Sequence, residues 1–483
     1  MTEVGTAPRI AANDPRTTAG WRATVPQIPP PAIAGVTMLL ALACGRFFAD
    51  GRIKYGAALV LAALYTPLVF FDLPAAFALF TAVQFVKDIR AFSVAPNTMG
   101  VLVGAGFVGV FVVQGQAFPA LIQHRRLILG VAMFMLWLTV SSAWAQQPGP
   151  ALSEAGFYWL GALAFLIVIT TLARGRDIAL VALAFVVGAT AAAMIGLASG
   201  GLSTAASDAG QTTATAVQGR LTGGGGDPNL QAAGFVAAIF LAMGLLTVYR
   251  GKAARIALTV SFSLLTVAFF ATESRGGLLA LAVSTIAALV LFPDQRRRVL
   301  GFVTLGAVIA AAVVATNPGS LSRITNFGGG TSGRSDIWSA ATQVFSQHPL
   351  VGVGLDNFQV VEPRFALMHQ SVSRVTYIAE TPFPAHNTYL QLLADNGLIG
   401  LAGFLAIVVA CLNATLRAAR MFDDKARHGY ANLARAVLLG TIGMLTAIFF
   451  FTDGDDWRLW ILLGLGPALL TLARTAPAQD HKP

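Results

Sequence analysis

Apolar runs of membrane-crossing length recur along almost the whole of this 483-residue chain, and no other feature constrains its fold as strongly. A helix rises about 1.5 Å per residue, so roughly 20 apolar residues cover the ~30 Å hydrocarbon core of a bilayer. Inside lipid every backbone polar group must find its partner within the protein, which restricts spanning segments to helices or closed barrels. Such runs lie near 33–48, 57–71, 74–86, 99–118, 127–143, 157–172, 178–198, 229–249, 256–272, 277–292, 299–316, 394–412, 433–451 and 457–473. They predict an all-α, polytopic transmembrane helical bundle of about 12 to 14 spans, with 74–86 among the short ones. Composition agrees: hydrophobic residues make up 56% and charged residues 11%, against roughly 25% charged in a soluble domain.

The same pattern divides the chain. Residues 1–31, rich in Pro, Thr and Arg, have no apolar core and read as a disordered cytoplasmic tail without a cleavable signal peptide. Residues 32–316 form a transmembrane bundle whose short external loops carry Arg220 and Arg275. Residues 317–393 form one large polar loop containing short helices, 394–474 the C-terminal transmembrane helices, and 475–483 a tail. Cys44 and Cys411 both fall in apolar runs and read as packing residues.

The net charge of +10 is explained by topology, because Lys and Arg concentrate in cytoplasmic loops; no nucleic-acid partner is expected. From residue 125 onward the basic clusters alternate. Arg125-Arg126, Arg174/Arg176, Arg250/Lys252/Arg255, Arg296-Arg297-Arg298 and Arg417/Arg420/Lys425/Arg427 mark one side. The connections 144–156, 199–228, 273–276, 317–393 and 452–456 are poorer in basic residues and mark the other. The large loop, Arg220 and Arg275 therefore share the external side. The N-terminal quarter is less regular: Arg52/Lys54 and Lys87/Arg90 cannot both be cytoplasmic if every run spans fully and the N-terminus is inside.

Chemistry-bearing residues collect in the external connections. Arg275 lies in Glu273-Ser274-Arg275-Gly276-Gly277, a brief interruption between apolar runs. An arginine in hydrocarbon costs from about 2.5 kcal/mol upward, which places this pentapeptide in a tight interfacial turn. The arginine either snorkels there or presents a fixed cation at headgroup depth, where a guanidinium fork suits phosphate oxygens. Arg220 precedes a glycine run and Asp227-Pro228-Asn229. Asp227 as N-cap and Pro228 at the first helical position open the next span. The glycine run lacks a following Walker lysine and is no phosphate loop.

Within the large loop, Ile337, Ala340/Ala341, Val344 and Phe345 repeat at helical spacing, predicting an amphipathic helix over about 335–346 with Arg334 near its start. His348 closes that helix, and His369 lies in a stretch with no readable pattern. His386 follows Pro382 and Pro384 and enters a helical pattern through Tyr389, Leu390 and Leu393, which fixes it at the rim of the bilayer. Histidine is the usual general base near neutral pH. Asp453-Gly454-Asp455-Asp456 contains the Asp-x-Asp spacing of divalent-cation sites, but a solvated turn with an N-cap explains it more simply.

Taken together these motifs resemble the bacterial O-antigen ligase superfamily, which also holds O-antigen and exopolysaccharide polymerases. His386-Asn387-x-x-Leu390 followed by Gly397 is similar to the signature at the end of that family's large periplasmic loop. Gly333-Arg334-x-x-x-Trp338, Pro349-Leu350-Val351-Gly352-Val353-Gly354 and Asn396-Gly397-Leu398-Ile399-Gly400 fit the same pattern, as do Arg220 before Asp227-Pro228-Asn229 and Ser274-Arg275-Gly276-Gly277. The similarity covers roughly residues 125 to 450.

The resemblance implies a multi-pass enzyme of the bacterial inner membrane, with its active site on the periplasmic face and membrane lipids around it. Its donor would be a glycan on undecaprenyl diphosphate and its acceptor a hydroxyl of lipid A core or of another glycan. Arg220, Arg275 and Arg334 would bind the donor diphosphate, and His386 would take the acceptor proton. No metal and no cofactor is implied. O-antigen ligase is favoured because the His386 signature matches without a gap; a polymerase of the same family is the alternative. A lipid-linked glycan transporter is the more distant reading, and it is disfavoured because the runs 178–198, 229–248, 256–272, 277–292 and 299–316 hold no ionisable residue.

Overall fold

The computed structural model describes residues 71–86, 121–198, 220–221, 227–316, 334–368 and 383–477, with isolated positions nearer the N-terminus. The described residues form helices α1 (Leu73–Val83), α2 (Arg125–Val140), α3 (Pro148–Thr171), α4 (Gly175–Ala198) and α5 (Pro228–Val248). They continue through α6 (Lys252–Ala271), α7 (Arg275–Leu291), α8 (Arg296–Thr316), α9 (Arg334–Gln347) and α10 (Phe358–Met368). The last are α11 (Thr388–Asp424), α12 (His428–Ala447) and α13 (Trp457–Thr475). The chain is an all-α helical bundle, and seven described helices are long and apolar enough to cross a membrane.

Most of the spans expected at 33–48, 57–71 and 99–118 lies outside the described residues, as does Cys44, whereas Cys411 is buried and unbridged. The run at 74–86 yields only the 11-residue α1, which at about 1.5 Å per residue is too short to cross hydrocarbon by itself.

The centre of the bundle is α5, whose surface is apolar nearly all round and buried over most of its length. Such a helix belongs inside a bundle. It packs most extensively on α12, and small residues permit the approach: Gly440 meets the backbone of Ala237 and Gly244 meets Ala436. Close backbone contact through small residues is how helices associate where water supplies no hydrophobic drive. At the other extreme almost none of the apolar length of α8 is buried, which suits a lipid-facing helix.

The helix ends separate into two sets. At one end Lys425 Nζ donates to the carbonyls of Ala473 and Ala476 at 2.7 Å each, Asp423 pairs with Arg435, and Thr247 Oγ1 donates to Gly429. Here the basic clusters gather. At the opposite end Thr388 N donates to Ile448, Leu221 N to Ala271, and Asn396 Nδ2 to Ser141 Oγ. The described part of the large polar loop sits at this second end.

Two sequence motifs bind that loop to the bundle. Helix α11 is broken at Gly397 (φ 66°, ψ −166°), a conformation that favours glycine. The break releases backbone groups that a continuous helix would use internally. The carbonyls of Ala394 and Asp395 accept from Val353 and Gly354, while Leu398 and Ile399 donate to Pro349 and Leu350. A Cβ on Gly397 would overlap the Leu350 carbonyl. Pro349–Gly354 and Asn396–Gly400 are thus two halves of one backbone clasp.

Candidate functional site

His386 lies at the tip of this clasped region, just before α11, and its backbone is left-handed at φ 49°. That conformation costs a non-glycine residue about 1–2 kcal/mol and persists only where neighbours determine it. They do so on both sides. Ala385 donates its N–H to Gln391 Oε1 at 2.7 Å, and its carbonyl accepts from Trp338 Nε1 at 2.9 Å. After it, the Asn387 side chain caps α11 by accepting from Tyr389 and Leu390, and Thr388 is held by Ile448 and Phe451.

Further support comes from buried polar groups. Gln391 Nε2 donates to Asp395 Oδ2, and the Asp395 carboxylate accepts the N–H groups of Asp356, Asn357 and Phe358. Glu362 of α10 is fully buried and accepts from Phe383 N at 3.1 Å. Burial pushes this carboxyl up to about 7, against the opposing pull of the Phe383 N–H. Phe383 in turn has its ring 6.3 Å from the His386 imidazole.

The expected amphipathic helix is α9, with Ile337, Ala340, Ala341 and Val344 buried. Arg334 is its first residue, one turn before Trp338, so the cation and the indole that holds Ala385 share a face. Burial, Arg334 and Asp227 act on His386 in that order: the first two lower its pKa and the third raises it. The ring is therefore held below the ordinary histidine value, mainly by burial, which favours its uncharged form. Arg334 is itself lowered by burial and raised by Asp227. Arg334, His386 and Asp227, from three separate parts of the chain, thus share one electrostatic environment.

Asp227 brings the second half of the site. As predicted, it caps α5, accepting from Asn229 N at 2.7 Å, with Pro228 in the first turn. Asn229 Oδ1 accepts from Ser274 Oγ at 2.8 Å and from an Arg220 terminal nitrogen at 3.3 Å. Arg220, buried, also donates Nε to the Thr272 carbonyl at 2.8 Å. Arg220 therefore bolts the start of α5 to the end of α6.

The expected pentapeptide turn is tighter than the sequence suggested. Ser274 caps α7 through Gly277 N, so Arg275 is already the first helical residue, and it is exposed. The two glycines have packing roles. A Cβ on Gly276 would come within 2.9 Å of Phe450, and one on Gly277 within 2.8 Å of Ala232. Phe450 contacts Phe449, whose ring lies 5.7 Å from Trp338. The Arg275 turn and the His386 strap accordingly rest on the same pair of phenylalanines.

His348 follows α9, as expected, and is exposed; His369 lies outside the described residues. In the acidic turn Asp456 caps α13 and pairs in fork geometry with buried Arg458, Nε and a terminal nitrogen reaching its carboxylate at 2.8–3.0 Å. Among the described residues no three His, Cys, Asp or Glu side chains converge as a metal site. Sequence reasoning quoted Trp338, Asp227 and Asn396 within motifs but gave neither Trp338 nor Asp227 a role toward His386, and it passed over Glu362, Gln391 and Asp395.

A model of the O-antigen ligase family matches residues 260–405. That segment runs from α6 to the broken part of α11 and takes in Arg275, Arg334 and His386, with Arg220 upstream. The matched segment is therefore similar to the O-antigen ligase family, which supports the resemblance carried by the sequence motifs. No curated protein matches the chain.

Proposed function

We propose that this chain belongs to the O-antigen ligase superfamily and is an inner-membrane glycosyltransferase that moves a glycan from undecaprenyl diphosphate to an acceptor hydroxyl at the periplasmic face. The acceptor of this reading is lipid A core, which makes the chain an O-antigen ligase. The observation that carries it is the shared environment of His386, Arg334 and Asp227, beside the contact built at the helix ends by Arg220, Asn229 and Ser274.

A neutral imidazole accepts the proton of the acceptor O–H as that oxygen attacks the anomeric carbon. The bond from that carbon to the diphosphate breaks, and the leaving diphosphate keeps the electron pair. Positive charge to meet it comes from Arg275 and Arg334, each the first residue of its helix. A helix N-terminus adds roughly half a positive charge to such a side chain. Arg220, bonded through Nε and one terminal nitrogen to Thr272 and Asn229, brings its positive charge toward the diphosphate and ties the start of α5 to the end of α6. In this reading the arginines supply the electrostatic stabilisation and no metal is needed.

The test is reconstitution of the full chain with an undecaprenyl-diphosphate glycan and lipid A core. Arg275→Ala is expected to lower transfer about 100-fold or more while expression is kept. Lipid-linked glycan crossing liposomes without any sugar transfer would replace this reading with transport, and transfer only to another glycan repeat would replace it with polymerisation.

A further inference from the structure

The two ends of α9 face different surroundings. Its first residue, Arg334, shares the environment of His386, while its last, Gln347, and the following His348 form one wall of a separate cleft of about 430 Å³. At about 1.5 Å per residue the two ends of α9 lie about 20 Å apart. The other walls carry Trp144 and Gln146 from the loop after α2, and Arg364 and Phe365 from α10.

These walls are held in place from behind. Gln147 N donates to Asn357 Oδ1 at 2.8 Å, fixing the 144–147 loop to the start of α10. The Trp144 ring rests against Trp137, 5.6 Å away between centroids, and still leaves the residue 37% exposed. Gly352 N donates to the His348 carbonyl, and Val353 is part of the clasp on α11. Within this frame Gln146, Gln347, His348 and Arg364 are exposed, and their side chains make no hydrogen bond or ion pair among the described residues.

We propose that this cleft is a remote glycan subsite, holding an uncharged sugar of a chain whose reacting end lies at His386. The composition fits a sugar ring. An indole face receives its C–H groups, while two amides, an imidazole and a guanidinium offer donors and acceptors for its hydroxyls. The size lies within the range of small-ligand sites. A phosphate fits poorly, because the cleft meets α9 at its C-terminal, carbonyl end, where the helix dipole repels anions. The inference rests on the proposed glycosyl transfer and adds a second point of contact, at the end of α9 opposite Arg334.

The experiment uses the reconstituted full chain with undecaprenyl-diphosphate glycans of one repeat unit and of many, and with short and long acceptors. Trp144→Ala and, as surface variants away from the packed rings, Gln347→Ala and Arg364→Ala are compared with wild type. The expected result is a KM raised about tenfold for the long glycan with kcat kept, and no change for the short one. Whether the effect follows donor or acceptor length assigns the chain that occupies the cleft. Equal loss on short and long substrates in all three variants, or no change on either, overturns the subsite. Absence of transfer by wild type would instead strike the underlying reading.

Discussion

Trp338 donates its indole N–H to the carbonyl of Ala385 at 2.9 Å, so the helix that presents Arg334 also fixes the backbone one residue before His386. A guanidinium and an imidazole from positions 52 residues apart in sequence are thereby held as one unit. Trp338→Phe keeps the ring contact with Phe449 and removes the hydrogen bond. Loss of an N–H partner to a buried carbonyl costs about 1–3 kcal/mol. The variant should fold and show a lower kcat with little change in KM, as measured by steady-state transfer kinetics.

In the proposed mechanism Arg334 also shifts the pH range over which His386 can act as the base. Burial and Arg334 together lower the imidazole pKa, so wild-type activity should persist below the ordinary histidine value of about 6.5 before falling with acid. Arg334→Gln removes one lowering influence, and the acidic limb of the kcat/KM profile should move to higher pH. Asp227→Asn removes the raising influence and should move it lower. Identical acidic limbs in all three proteins would show that His386 is not the titrating base.

Glu362 couples stability to pH in the direction opposite to a salt-bridged carboxylate. Its pKa in the folded protein is raised to about 7, so between the ordinary carboxylate range and pH 7 the folded state holds a proton that the unfolded state has lost. Its linkage is favourable at low pH, is lost as pH rises through about 7, and is flat above. Glu362→Gln keeps an acceptor for Phe383 N–H and removes this dependence. Thermal unfolding in detergent should show a higher Tm than wild type at pH 8 and a smaller difference at pH 5.

Gly397→Ala should open the clasp. The substitution puts a Cβ at φ 66° against the Leu350 carbonyl, two of the mechanisms behind losses of several kcal/mol. The expected outcome is a lowered Tm with faster proteolysis within 349–399, before the rest of the bundle is cut.

Much of this architecture is legible in the sequence because its signals are local. Asp227-Pro228 announces a helix start within two residues, the Ile337–Val344 spacing gives α9, and the apolar runs give the bundle. What escaped depends on partners distant in the chain. Nothing near Gly397 says that its break is filled by Pro349–Gly354, and Asn396-Gly397 falls within the apolar run 394–412 that reads as one span. Asp456 looks available to a cation until Arg458 turns back onto it. Arg220 reads in sequence as a candidate diphosphate ligand, while its Thr272 and Asn229 bonds appear only when α5 and α6 are assembled.

The central claim, that His386 is the base for glycosyl transfer, is tested most directly by the transfer rate of His386→Ala in liposomes holding the undecaprenyl-diphosphate glycan and its acceptor. Loss of one general base predicts a kcat lower by about 100-fold or more, in a protein that still expresses, keeps its Tm and binds the donor. A His386→Ala protein that transfers sugar at the wild-type rate would contradict it.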